Sequence, residues 1–202
     1  MSGTRERRRP PQAGHIVLGI LRLARGRADG LDQFGTTVQA FLSSLAPLVA
    51  FPLVGYLLLL VRGGGRHGGE VGALADLLGT VCALLAPAVL SFELARLWRR
   101  QALWLRYATA LNWTQWAIPV LASALLLLVY PPLAMAVSPQ LALGVVGILI
   151  GGYALWLHWF IARHGLALSS WRAVLLVFVV NLVTGLLVLG PRLLALGAGR
   201  AG

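Results

Sequence analysis

The sequence has no lysine, few acidic residues and a single cysteine. Its charged residues, 17 arginines and six acids, make up 11% of the 202 residues, whereas a soluble domain has roughly a quarter. Cys82 can form no intramolecular disulfide and is too few for a zinc cluster. These shortages argue against a soluble domain, a disulfide-stabilised fold and a zinc protein.

Patterns of catalytic residues are also lacking. Neither HExxH nor GxSxG is present, and Asp29-Gly30 begins like the motif of phosphatidyl-transferring phospholipid synthases without its later aspartates. Acid–base and nucleophilic catalysis need paired groups within hydrogen-bond reach, and the few candidates lie in different loops. We therefore expect no enzyme, metal or cofactor, and keep a lipid-modifying enzyme as a disfavoured alternative.

What the chain does have is long apolar runs. Hydrophobic residues make up 58% of it and the mean hydropathy is +0.81, and a membrane span needs about 20 apolar residues. We predict an all-α, polytopic membrane protein with a five-helix domain over 38–190, preceded by a short amphipathic interfacial helix. The predicted spans are about 38–61, 71–95, 108–130, 137–161 and 171–190. The third run is closed by Pro131-Pro132 and the fifth by Gly190-Pro191.

The N-terminal segment is basic. Residues 1–13 predict a disordered tail, and residues 14–30 an amphipathic cytoplasmic helix whose apolar stripe contains Ile16, Ile20 and Leu23. Such a helix suits the surface of a bilayer with anionic headgroups; docking on the protein's own cytoplasmic face is the alternative. At the other end, residues 191–202 predict a short external tail. Thr36 and Gln39 form a capping-box pattern at the start of the first span.

Arginine distribution predicts the orientation. Thirteen arginines fall in the N-terminal segment and the loops on its side, against four on the other side. The positive-inside rule then places the N-terminus in the cytoplasm and the C-terminus in the periplasm. The use of arginine alone, with abundant Ala, Leu and Gly, is typical of a GC-rich bacterial genome. We expect a bacterial inner membrane and no nucleic-acid partner.

Polar residues interrupt two of the spans. Asn112 and Gln115, three apart on the third span, are neighbours on one helix face, which Pro119 and Ser123 would continue. Asn181 and Thr184 repeat the spacing in the last span. Amides in hydrocarbon need partners, so we expect them to face other helices, either for packing or to line a binding site.

The ionisable residues of the second span are Asp76 and Glu93. Intramembrane acids are functional candidates by default, and Asp76 has no partner nearby in the sequence. Glu93 lies three residues before Arg96 and seven before Arg100, which predicts an ion pair at the cytoplasmic boundary. In the fourth span, His158 is expected to snorkel to the interface, and the Gly147-x-x-x-Gly151 pattern permits close helix approach.

The layout of the chain resembles small bacterial inner-membrane proteins related to the Yip (Ypt-interacting-protein) family. The similarity lies in the mobile basic N-terminus, the five close-set spans, RYATALNW at 106–113 and LHWFIARHGL at 157–166. The resemblance implies a non-enzymatic membrane protein that works through lipids, as a homo-oligomer or with membrane-protein partners. The Asp-Leu-Tyr-Gly-Pro stretch of eukaryotic members is missing, so no GTPase-binding residue is carried over.

Two functions therefore remain open at this point. The first is membrane organisation or assistance in assembly. The second is a small oligomeric transporter or channel that uses the Asn112/Gln115 face and Asp76.

Overall fold

A computed structural model of the chain describes residues 13–61 and 69–198, and every regular element in these ranges is helical. The predicted all-α class is therefore confirmed. The elements are α1 (Ala13–Ala24), a 3-10 helix (Ala28–Gln33), α2 (Val38–Val61), α3 (Gly69–Leu97), α4 (Gln101–Thr114), α5 (Ala117–Leu128), α6 (Tyr130–Ala136), α7 (Pro139–Gly165) and α8 (Ser170–Ala198). The predicted basic tail, the arginines at 62 and 66, and the side chains of Asp76 and residues 191–198 lie outside the described part.

Four described stretches have the length and composition of membrane spans. They are Leu77–Leu97, Gln101–Leu128, Pro139–Gly165 and Ser170–Gly190. Their large apolar side chains are widely exposed, for example Ile148 at 75% and Leu127 at 75%, as expected of helices that face lipid. The predicted first span coincides with α2, Val38–Val61. Within it, Val38–Ala50 is an apolar helix that is shorter than a membrane span. The total of five spans therefore stays a prediction.

A proline breaks the third predicted span into α4 and α5. Proline lacks an N–H and its ring conflicts with the carbonyl four residues earlier, which for Pro119 is that of Gln115. The backbone there forms hydrogen bonds that reach back three residues instead of four. They run from Trp116 N–H to Trp113 O and from Ile118 N–H to Gln115 O, both at 3.2 Å. The stretch Gln101–Leu128 stays long enough to span a bilayer, and its regular helix is interrupted at Gln115 and Trp116.

Other helix ends differ from the sequence-based boundaries. Pro131 and Pro132, expected to end a helix, stand at the beginning of α6, where a missing N–H costs nothing because the first N–H groups have no intrahelical partner. The last helix continues past Gly190-Pro191 to Ala198. At the start of α2, the capping hydroxyl belongs to Thr37, which accepts from Ala40 N–H at 3.2 Å, rather than to Thr36.

Three helices end in Schellman caps, in which a residue with positive φ closes the last turn. After α1 this residue is Gly26 (φ 73°), but after α3 it is Arg99 (φ 57°) and after α7 Ala167 (φ 50°). The closing bonds are Arg27 N–H to Arg22 O, Arg100 N–H to Ala95 O and Leu168 N–H to Arg163 O, at 2.9, 2.7 and 2.9 Å. Two tight turns are thus built without glycine.

The contacts divide the chain into two compact units, Met1–Phe41 with Leu105–Ile161 and Leu42–Trp104 with Ala162–Gly202. In the first, α1 packs on the 3-10 helix and on α5, and α5 packs on α6; in the second, α3 packs on α8. The buried stripe of α8 is Ala173, Leu176, Val177 and Val180, at the spacing of one helix face. Trp104 anchors the second unit by donating to Ser91 Oγ at 3.1 Å.

The cap at Ala167 predicts a stabilising substitution. An L-residue in the left-handed region costs roughly 1–2 kcal/mol, so Ala167→Gly should raise the thermal midpoint in detergent by the equivalent of about 1 kcal/mol. Ala154→Gly, inside α7, should lower it by a similar amount because glycine is a poor helix former. A lower midpoint for both variants would contradict the cap.

Candidate functional site

The amide region of the third span is centred on α4, whose residues Tyr107 to Asn112 are all buried. Asn112 is only 6% exposed. The neighbouring hydroxyls bond to their own helix: Thr109 Oγ1 donates to Leu105 O at 2.7 Å and Thr114 Oγ1 to Ala110 O at 2.5 Å. These bonds satisfy the hydroxyls without a partner helix or ligand.

The predicted polar face does not continue beyond Gln115. Asn112 is buried and Gln115 half-buried, whereas Pro119 and Ser123 are exposed. The helix is interrupted between these residues at Gln115 and Trp116, which lie after α4 and before α5. Asn112 and Gln115 are therefore the part of the predicted site that the fold keeps in protected surroundings.

Asn181 and Thr184 lie on α8, in the second compact unit. Asn181 Nδ2 donates to Val177 O at 2.8 Å, within its own helix. The Thr184 hydroxyl is buried and has no hydrogen-bond partner among the described residues. This bond of Asn181 lies within its own helix, as do the bonds of the Thr109 and Thr114 hydroxyls of α4.

Of the two acidic residues predicted as candidates on α3, the structure describes the side chain of Glu93 but not that of Asp76. Arg96 Nη1 lies 3.6 Å from Glu93 Oε2, and both side chains are largely exposed. Arg100 contributes its backbone N–H to the cap that ends α3. The helix includes position 76, but the Asp76 carboxylate lies outside the described side chains, and its coupling role stays a prediction.

A buried tyrosine and histidine form the first contact that the sequence did not predict. Tyr107 is fully buried, and its Oη lies 3.2 Å from His158 Nε2. The half-buried His158 thus bonds to a side chain of α4, and its position at the interface stays a prediction. Because the two residues lie 51 positions apart, no periodicity in the sequence could have paired them; the only signal was a histidine inside an apolar run.

The second such contact holds residues 13–34, here called the N-terminal hairpin, against α7. Tyr153 Oη donates to Ala24 O at 2.8 Å, which satisfies a carbonyl in the last turn of α1. The positive φ of Gly26 brings its backbone beside Trp156, whose ring carbons would lie 3.4 Å from an added Cβ. Trp156 in turn stacks on Phe160, with ring centroids 5.5 Å apart.

Ion pairs complete the attachment of the hairpin. Asp29 accepts from Arg22 and Arg27 at 3.3 and 2.9 Å, within the hairpin. Asp32 lies 3.4 Å from Nη1 of Arg106 on α4. Exposed ion pairs contribute little to stability. Through these pairs, however, both acidic residues of the hairpin, Asp29 and Asp32, already contact arginines.

Nothing among the described residues assembles a metal centre: no group of three His, Cys, Asp or Glu side chains is placed to hold an ion. The GxxxG glycines are open, since no described atom lies within 4 Å of a Cβ built at Gly147 or Gly151. The arrangement consists of hydrogen bonds within and between helices, and of a basic hairpin attached to the C-terminal half of α7.

Comparison with known proteins adds no family: no protein-family model, no curated protein and no solved structure matches the chain.

The Tyr153 bond predicts the behaviour of the hairpin. Tyr153→Phe removes a hydrogen bond worth about 1 kcal/mol, so the amides of α1 should exchange with deuterium roughly fivefold faster. Hydrogen exchange read by mass spectrometry on the protein in detergent measures this. Tyr130→Phe, which loses an equivalent hydroxyl on α6, should leave α1 unchanged; unchanged exchange in both variants would mean that Tyr153 does not hold the hairpin.

The burial of Asn112 predicts unequal roles for the two amides. Asn112→Leu should lower the thermal midpoint in detergent by the equivalent of about 0.6 kcal/mol or more, whereas Gln115→Leu should change it less because Gln115 is half-buried in a turn. Ser123→Leu, on exposed α5, serves as the control. If the double variant with both leucines melts like the parent, packing is not the purpose of the amides.

Proposed function

We propose that the chain is a five-span, Yip-like protein of the bacterial inner membrane, which acts without catalysis in membrane organisation or as an assembly partner. One observation carries this proposal. Three polar side chains of the described spans, Thr109, Thr114 and Asn181, donate to backbone carbonyls of their own helices. Side chains used in this way stabilise helices and leave few groups for a reaction.

The short connections support the same proposal. In the described ranges no connection between consecutive helices exceeds four residues, which leaves no room there for a soluble catalytic domain. A protein built in this way acts through the surfaces of its spans and through the N-terminal hairpin. Lipids and other membrane proteins are the partners that such surfaces meet.

The proposed topology places the N-terminus and the hairpin on the cytoplasmic side. The hairpin attaches to the C-terminal half of α7, whose last turn carries Arg163 and His164. Arginine at that end favours a cytoplasmic location under the positive-inside rule. Anionic headgroups of the cytoplasmic leaflet would then lie beside the arginines of the hairpin.

The experiment that tests this function is mild crosslinking in native membranes, followed by affinity purification and mass spectrometry. We expect a stoichiometric membrane-protein partner, and no lipid turnover by the purified chain. Recovery of the chain alone as a defined homo-oligomer, with solute flux in liposomes, would overturn the proposal in favour of a transporter.

Paired variants of α3 sharpen that test. In a transporter coupled through Asp76, Asp76→Asn abolishes flux, whereas Glu93→Gln, which removes the same charge beside Arg96, leaves flux intact. Under the proposed function neither variant has a flux to lose, and both should retain the crosslinked partner.

A further inference from the structure

The outer side of α1 carries an exposed apolar ridge. Val17, Leu18 and Leu21 are 55%, 41% and 46% exposed, and their spacing puts them side by side on one face of the helix. The sequence predicts an apolar stripe of Ile16, Ile20 and Leu23 with Val17 and Leu21 beside it, and Leu18 lies outside that prediction. That stripe, with Ile16, Ile20 and Leu23, is half-buried or buried.

The inner side of α1 is already filled, so the ridge cannot turn inward. Leu23 is fully buried. A Cβ added to Gly19 would lie 2.8 Å from the Phe34 ring, and one added to Gly30 would lie 2.8 Å from Gly19 O. The sequence left two locations open for this helix, the bilayer surface and the protein itself. One face of α1 docks on the protein, and the other face is available to a second surface.

The attachment to α7 indicates the depth of the C-terminal end of α1, where Ala24 and Gly26 lie against Tyr153 and Trp156. With 27 residues, α7 is about 40 Å long, about 10 Å more than the hydrocarbon core. If the excess is shared by both ends, Trp156, nine residues before Gly165, lies roughly 8 Å inside the core boundary. Amphipathic helices at the membrane surface are buried by about 5–10 Å, which is the level at which Trp156 meets the hairpin.

Charge indicates which lipids lie there. Arg22 and Arg27 both engage Asp29. Arg25 is exposed, and no ion pair or hydrogen bond of its side chain is present among the described residues. It follows Leu21 by four positions and therefore lies at the end of the ridge. An unopposed guanidinium beside an immersed apolar ridge suits a lipid phosphate.

We propose that the ridge of Val17, Leu18 and Leu21 is immersed in the leaflet beside α7 and that Arg25 binds the headgroup of an anionic phospholipid there. The inference rests on the proposed function only in that α7 spans a bilayer. It makes the hairpin a one-sided wedge, which displaces lipid in a single leaflet and gives membrane organisation a physical means.

The test uses the full chain in vesicles of phosphatidylcholine with or without phosphatidylglycerol. In a Cys82→Ser background, Leu18→Cys carries an environment-sensitive fluorophore, and Ile148→Cys on α7 carries the same label as a control. We expect both probes to be blue-shifted and to be quenched by nitroxide lipids. A quenched Ile148 probe with an aqueous Leu18 probe would overturn the wedge alone and leave the ridge to a protein partner; an aqueous probe at both positions would refute the membrane-spanning function itself.

Two arginine variants test the headgroup contact. A membrane-impermeant maleimide should react with Leu18→Cys roughly fivefold faster after Arg25→Gln in phosphatidylglycerol vesicles, since one arginine at an anionic surface contributes about 1 kcal/mol. No acceleration is expected in phosphatidylcholine. Arg27→Gln removes the same charge from an arginine held by Asp29 and should have a smaller effect. Equal effects of the two variants would overturn the assignment to Arg25.

Discussion

The need to satisfy every polar group inside a bilayer is the constraint on which this structure depends. Hydrocarbon offers no hydrogen-bond partners, so only closed backbone arrangements such as helices are stable there. The described spans extend this rule to side chains: Thr109 and Thr114 bond to carbonyls one turn earlier. Pro119 interrupts the regular backbone hydrogen bonds of the helix, and around Gln115 they are replaced by bonds that reach back three residues instead of four.

The same rule explains why polar residues in these spans need not form a site. An amide in a membrane helix is often interpreted as a ligand contact, yet Asn181 donates to its own helix and Asn112 lies among the buried residues of α4. Packing bonds in membranes are individually weak. A bond such as that of Asn181 satisfies the polar group within one helix, so the amide by itself is no sign of a ligand.

The hairpin shows how a modest number of contacts gives a surface segment a defined position. One hydrogen bond from Tyr153, one close approach at Gly26 and one ion pair from Arg106 join it to α7 and α4. With its inner face filled, its apolar ridge of Val17, Leu18 and Leu21 is left exposed.

The sequence by itself determined the helical class, because apolar runs of span length and a scarcity of charge leave few other folds. It also indicated that Asn112 would be protected from lipid. Only the tertiary structure decided that Tyr107 meets His158, that Thr37 rather than Thr36 caps α2, and that Val17 rather than Ile16 faces outward. Periodicity reports that a helix has two faces, but which face docks depends on partners far away in the chain, such as Phe34 and Tyr153, and local sequence carries no record of them.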